Sequence, residues 1–204
     1  MQPFRRLVAP ACPLPIANID TDQLIPARFM KRSRAEGYGG YLLHDMRFKS
    51  DGTPDPAFPL NQPAFANAQI IVARRNFGAG SSREAAVYAL ADFGIRCIVA
   101  PSFGDIFASN AVNNGLVPAK VSEGDAEALL GALGGGAREL TVDLERQTIT
   151  VGKLALPFEI DSVWRMKLLN GWDDIDLTLS QAGRIAAFAA ADRSKRPWAT
   201  PRKN

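Results

Sequence analysis

Residues 69–73 (Gln-Ile-Ile-Val-Ala) and 97–100 (Cys-Ile-Val-Ala) are short runs that are apolar almost throughout instead of alternating with polar residues. Strands of that kind are covered on both faces, which is the condition of a parallel sheet. A parallel pair needs a crossover, and residues 84–93 carry apolar side chains at helical spacing between the two runs. The chain is thereby constrained to an α/β fold. A helix over 103–110 and a strand over 116–118 extend the pattern. Residues 125–133 read as a helix stopped by Gly134-Gly135-Gly136, residues 140–143 and 148–151 as a hairpin, 158–160 as one more strand, and 162–169 and 181–191 as helices. Upstream, residues 4–16 read as a short strand with a Pro-rich turn, 18–22 as a polar loop, and 45–63, with four prolines and Gly52, as a long surface loop. One α/β domain over 1–204, with some antiparallel strands and a mobile basic tail from about residue 193, accounts for the whole length.

Charge excludes a nucleic-acid binder. The net charge is +3, but five Lys/Arg and no acid fall in the last twelve residues, leaving 19 basic against 21 acidic groups before them. A nucleic-acid partner requires positive charge spread over a face of the fold. Cys12 and Cys97 stand 85 positions apart and make neither a disulfide framework nor a metal set, which fits a reducing cytoplasm. The longest uncharged window, 56–73, contains three prolines and does not suit a membrane-spanning helix. Pro10, Pro13 and Pro15 likewise break any signal-peptide core, so the chain reads as soluble and unprocessed.

The chemistry concentrates in Asn76-Phe77-Gly78-Ala79-Gly80-Ser81-Ser82-Arg83-Glu84, between a strand and a helix. Unpaired helix N–H groups, the helix dipole and two glycines that permit close approach favour an anion there. Arg83 adds a two-point clamp for a carboxylate or phosphate, and Ser81 and Ser82 add hydroxyls. The same residues also read as a capping box, with Ser81 as N-cap and Glu84 three positions on, and the two readings are compatible. A phosphate loop would need Gly-Lys-Ser/Thr, a dinucleotide loop a glycine where Arg83 stands, and a serine-hydrolase elbow Gly-x-Ser-x-Gly with a histidine to hand. None is present, and His44 is the only histidine.

The stretch 76–90, centred on Ser81-Ser82-Arg83-Glu84, resembles the signature of the aconitase-type swivelling domain. Asn18-Ile19-Asp20-Thr21-Asp22-Gln23-Leu24-Ile25-Pro26 looks like that family's N-terminal motif. Ala100-Pro101-Ser102-Phe103-Gly104-Asp105-Ile106-Phe107, Asn110 and Asn113-Asn114-Gly115-Leu116 continue it. The resemblance covers nearly the whole chain, whose length is similar to that of the free-standing small subunits of bacterial 3-isopropylmalate dehydratase. It implies a three-layer β/β/α fold and a hydro-lyase that interconverts 2- and 3-isopropylmalate in leucine biosynthesis, active only with a large subunit. It also implies that a [4Fe–4S] cluster sits on the large subunit's cysteines and that this chain binds no cofactor or metal. By position, Ser81 resembles the general base that takes a proton from carbon, and Ser82 and Arg83 resemble contacts to the carboxylates of a 2-hydroxy dicarboxylate. A serine serves as a base only where its alkoxide is stabilised, as helix N–H groups beside a guanidinium would do. Where the family has histidine after Ser-Ser-Arg-Glu, this chain has Ala85.

Asp20 and Asp22 admit two readings, turn-making through their own backbone or direct action on a substrate or metal, and the resemblance sets them near the cleft. Residues 31–43, basic and glycine-rich, are the candidate specificity loop, with Tyr38, Leu42 and Leu43 covering an alkyl group. His44 reads as a loop histidine, Cys97 as a small core residue and Trp164 as core; Trp198 is open. Two other functions fit the same residues: a paralogous hydro-lyase subunit for methylmalate, dimethylmalate or homoaconitate, and a non-catalytic anion-binding module.

Overall fold

The computed structural model describes residues 1–80, 83–134 and 138–199. Strands β1 (Arg6–Leu14), β2 (Ile70–Ala73), β3 (Cys97–Ala100), β4 (Val117–Lys120), β5 (Arg138–Asp143), β6 (Thr148–Val151) and β7 (Leu154–Pro157) form one sheet in the order β4-β3-β2-β1-β5-β6-β7. Neighbours from β4 to β1 are parallel, and those from β1 to β7 are antiparallel. The helices among the described residues are α1 (Thr21–Leu24), α2 (His44–Arg47), α3 (Glu84–Phe93), α4 (Asp105–Asn113), α5 (Glu123–Leu133), α6 (Ser162–Asn170), α7 (Asp174–Leu179) and α8 (Ala182–Lys195).

The apolar runs become β2 and β3, buried at every position. Because successive residues point to opposite faces, each strand feeds two cores. Ile71, Ala73, Ile98 and Ala100 pack with Val87 and Leu90 of α3 and Phe107 of α4. Ile70, Val72 and Val99 pack with Leu129 and Leu133 of α5 and with Leu140, Val142 and Ile149 of the antiparallel strands. After β7 the chain returns to the far edge, where the Glu159 N–H donates to the Lys120 carbonyl at 2.7 Å. The sheet therefore curls, setting an antiparallel layer against the parallel layer and α3 and α4 outside. This is the expected β/β/α arrangement.

Several local expectations shift. β1 runs through Pro10 and Pro13 because it changes neighbours midway: β5 pairs with Arg6 to Ala11, and β2 pairs with Ala11 to Leu14. Each proline thus faces one ladder, the situation in which a strand tolerates it. The last strand is β7 at Leu154–Pro157, not 158–160, since Gly152 at φ 57 closes a two-residue turn after Val151. Residues 45–63 are not simply a surface loop: they contain short helical turns and bury Phe58 and Leu60 in the core. Helix α7 was not anticipated, and α8 continues to Lys195, past the expected start of the tail.

Candidate active site

Three loops leave the C-terminal ends of β1, β2 and β3, and backbone hydrogen bonds join them edge to edge. The Gly78 N–H donates to the Ile19 carbonyl at 2.7 Å, and the Thr21 N–H donates to Ala79 at 2.9 Å. On the other side, the Phe77 N–H donates to Ser102 and the Gly104 N–H to Phe77, both at 3.0 Å. Gly78 has φ +72, and a Cβ there would lie 2.1 Å from the Phe107 ring, so only glycine fits between the loop and α4. Residues 77–79 of the glycine loop are thereby fixed at the crevice where ligands of open α/β sheets bind.

Within it, Arg83 is the N-cap of α3 and makes no side-chain cap. The capping box expected of Ser81 and Glu84 is therefore not how α3 begins: the helix starts at Glu84, with its N-cap two residues later than expected. Ser81 and Ser82, the expected base and carboxylate contact, lie outside the described residues. Arg83 Nη1 forms an ion pair with Asp22 Oδ1 at 2.5 Å and lies 4.0 Å from Met30 Sδ. Its Nε and Nη2 bond to no described residue. The two side chains are 30% and 56% exposed, so this is an open surface and not a closed pocket. Asp20 is committed to the backbone: its Oδ1 accepts the Gln23 N–H at 2.7 Å while Gln23 Oε1 accepts the Asp20 N–H at 2.9 Å, a reciprocal box at the start of α1. The structure thus brings Asp22 and Arg83 together and gives Asp20 the turn-making role.

The proposed specificity residues are a correction. Tyr38, Leu42 and Leu43 are 6%, 0% and 0% exposed and belong to the core beside α3. The Tyr38 hydroxyl donates to the Arg32 carbonyl, and the Tyr38 N–H to Asp92 at 2.7 Å. Side chains so enclosed cannot line a substrate surface. Gly39 explains the miscue, because a Cβ there would meet the Asp92–Phe93 backbone at 2.7 Å. The glycine serves close packing, not loop motion. Met30 and Ser102 are the residues the sequence reasoning missed. The Ser102 Oγ accepts the Asn76 N–H at 2.8 Å, and its place in the 100–107 motif was the available signal.

His44 is half-buried between the Phe29 and Phe48 rings. Both thiols are buried, and burial pushes them up, Cys12 to about 12. Thiols held protonated in separate cores do not fit a cluster, and among the described residues no three His, Cys, Asp or Glu side chains converge for a metal. A cleft of about 650 Å³ lies next to the site, lined by Ser102, Phe103, Lys120 and Trp164 but not by Arg83. Trp164 packs half-buried against the second core, and Trp198 is 79% exposed. No helix among the described residues is long and apolar enough to cross a membrane.

The Aconitase C-terminal domain family model matches residues 1–124, LeuD_N matches 132–162, and the model for the C-terminal domain of the 3-isopropylmalate dehydratase small subunit matches 174–202. A 3-isopropylmalate dehydratase small subunit from Rhodospirillum centenum is 48% identical over 202 residues, covering 98% of this chain and 99% of the relative. One from Sinorhizobium fredii is 47% identical over 201 residues, covering 98% and 100%. In fold, the chain is similar to the crystal structure of 3-isopropylmalate dehydratase from Methanocaldococcus jannaschii, with a TM-score of 0.65 and 23% identity over 90% of this chain and 99% of that one.

Proposed function

The chain belongs to the family of 3-isopropylmalate dehydratase small subunits, and on that premise we propose that it supplies the carboxylate-holding and proton-moving side of a hydro-lyase site. Its reaction is the interconversion of 2- and 3-isopropylmalate in leucine biosynthesis. Water is lost as a proton from one carbon and hydroxide from its neighbour, and is added back with the two positions exchanged. The observation that carries the assignment to these residues is the Asp22–Arg83 pair at the start of α3. Asp22 orients the guanidinium by one nitrogen, and the other edge takes a substrate carboxylate in the two-point manner open to arginine. Ser81 takes the proton from carbon, two residues before Arg83, with helix amides and guanidinium to favour its anion. Ser82 contacts the same carboxylates. Asp20 keeps the loop that carries Asp22 in place.

The partner is the large subunit. The open surface at the half-buried Arg83 and the uncovered Ile175, Leu179, Ile185, Phe188 and Trp198 support a site completed by a second chain. The buried thiols support placing the [4Fe–4S] cluster there, where it supplies Lewis acidity toward the substrate hydroxyl. Purified alone, the chain should carry no iron and no activity, and a cluster-loaded large subunit should confer activity. In that complex Ser81→Ala should lower kcat at least about 10²-fold, and Arg83→Lys should mainly raise KM. A near-normal kcat for Ser81→Ala would remove the base assignment.

A further inference from the structure

Segment 20–22 touches the glycine loop on both sides of its serines. Asp22 holds Arg83, which follows them, while Thr21 lies against Gly80, which precedes them. Thr21 is fully buried, and its backbone is spoken for: the N–H donates to Ala79, and the carbonyl accepts from Ile25 at 3.1 Å. Its hydroxyl is the one buried side-chain polar atom among the described residues without a hydrogen-bond partner. A Cβ built on Gly80 would lie 3.5 Å from Thr21 Oγ1, so the hydroxyl faces the loop. A buried hydroxyl left unpaired is costly, and valine would fill the same space without that cost. A threonine in that place calls for a partner in another state of the site.

Resting on the reading that this loop carries the base, we infer that Thr21 is a positioning residue whose hydroxyl donates to the glycine loop when the loop holds substrate. The donor acts through the loop that carries Ser81 and does not touch substrate. Its bond forms in the working state and is absent at rest, so it contributes to turnover without contributing to the fold. Asp20 and Asp22 flank it but are engaged elsewhere, Asp20 on the Gln23 amide and Asp22 on Arg83.

The test compares Thr21→Val and Thr21→Ser in the reconstituted complex and in the full chain alone. Valine should lower kcat roughly 10-fold, less than the loss of a donor that meets the reacting atoms directly, with KM little changed. Serine, which keeps the hydroxyl, should restore most of the rate. The Tm of the Val chain should equal or exceed that of the unmutated one. In a Ser81→Ala background the valine should add no further loss. Unchanged kcat in Thr21→Val overturns the inference and leaves the base assignment standing. A matched fall in kcat and Tm, unrescued by serine, also overturns it, by making Thr21 structural. If Ser81→Ala keeps its rate while Thr21→Val loses it, the base assignment fails, and the donor acts through another group of the loop.

Discussion

Residues 31–43 are basic and rich in glycine, whereas α8 is rich in alanine, with Ile185 and Phe188 at helical spacing. Composition makes the first a mobile surface loop and the second a packed helix. The molecule does the reverse. Tyr38, Leu42 and Leu43 are buried against α3, and no residue of α8 is buried. The difference lies in what each stretch finds opposite itself. Asp92 of α3 pairs with Arg34 and accepts the Tyr38 N–H, and Gly39 lets the backbones meet, so the loop acquires a wall to pack on. Helix α8 follows Gly171 and α7, whose described anchor is the Lys167–Asp174 pair at 2.5 Å, and it extends without one. Its Ile185 and Phe188 stay exposed among the described residues.

The largest effect should separate the two regions directly. Leu42→Ala deletes most of a fully buried side chain and should destabilise the isolated chain by about 2–5 kcal/mol in urea titration, while Phe188→Ala, at an exposed position, should change it by less than about 0.5 kcal/mol. Comparable costs at the two sites would break the comparison.

A smaller effect sharpens the role of the glycines. Gly39→Ala would drive its methyl into the Asp92–Phe93 backbone and should cost about 1–3 kcal/mol, whereas Gly40, next in sequence, has nothing within 4 Å and should accept alanine with little change. A mobile loop would tolerate both.

The smallest effect is electrostatic. Arg28, by a side-chain hydrogen bond, lowers the Asp45 carboxyl to about 2, with His44 adding to the effect. A depressed carboxylate stabilises the fold above its unfolded value near pH ~3.9 and loses that contribution as pH falls through about 2. Both side chains are more than half exposed, so the gain is screened. Arg28→Ala should raise the Asp45 midpoint, followed by carboxyl NMR, toward the ordinary value. An unmoved midpoint would show that α2 is pinned by packing alone.

These contrasts mark where local pattern suffices. Continuous apolar runs specified β2 and β3, and helical spacing specified α3 at its observed bounds, because each depends on neighbours a few positions away. The order of motifs likewise sufficed for the family. Burial of Leu42 and Leu43 did not follow, because it needs the α3 surface some fifty positions on, and the pairing of Arg6 with Asp143 spans most of the chain. The site divides the same way. Arg83 and the two aspartates were legible as chemistry, but which aspartate holds the arginine was decided by the hydrogen bonds joining the β1 and β2 loops, and so was the unpaired Thr21 hydroxyl. Such contacts join residues that only the folded chain brings together, and a pattern read along the sequence has no term for the distance between them.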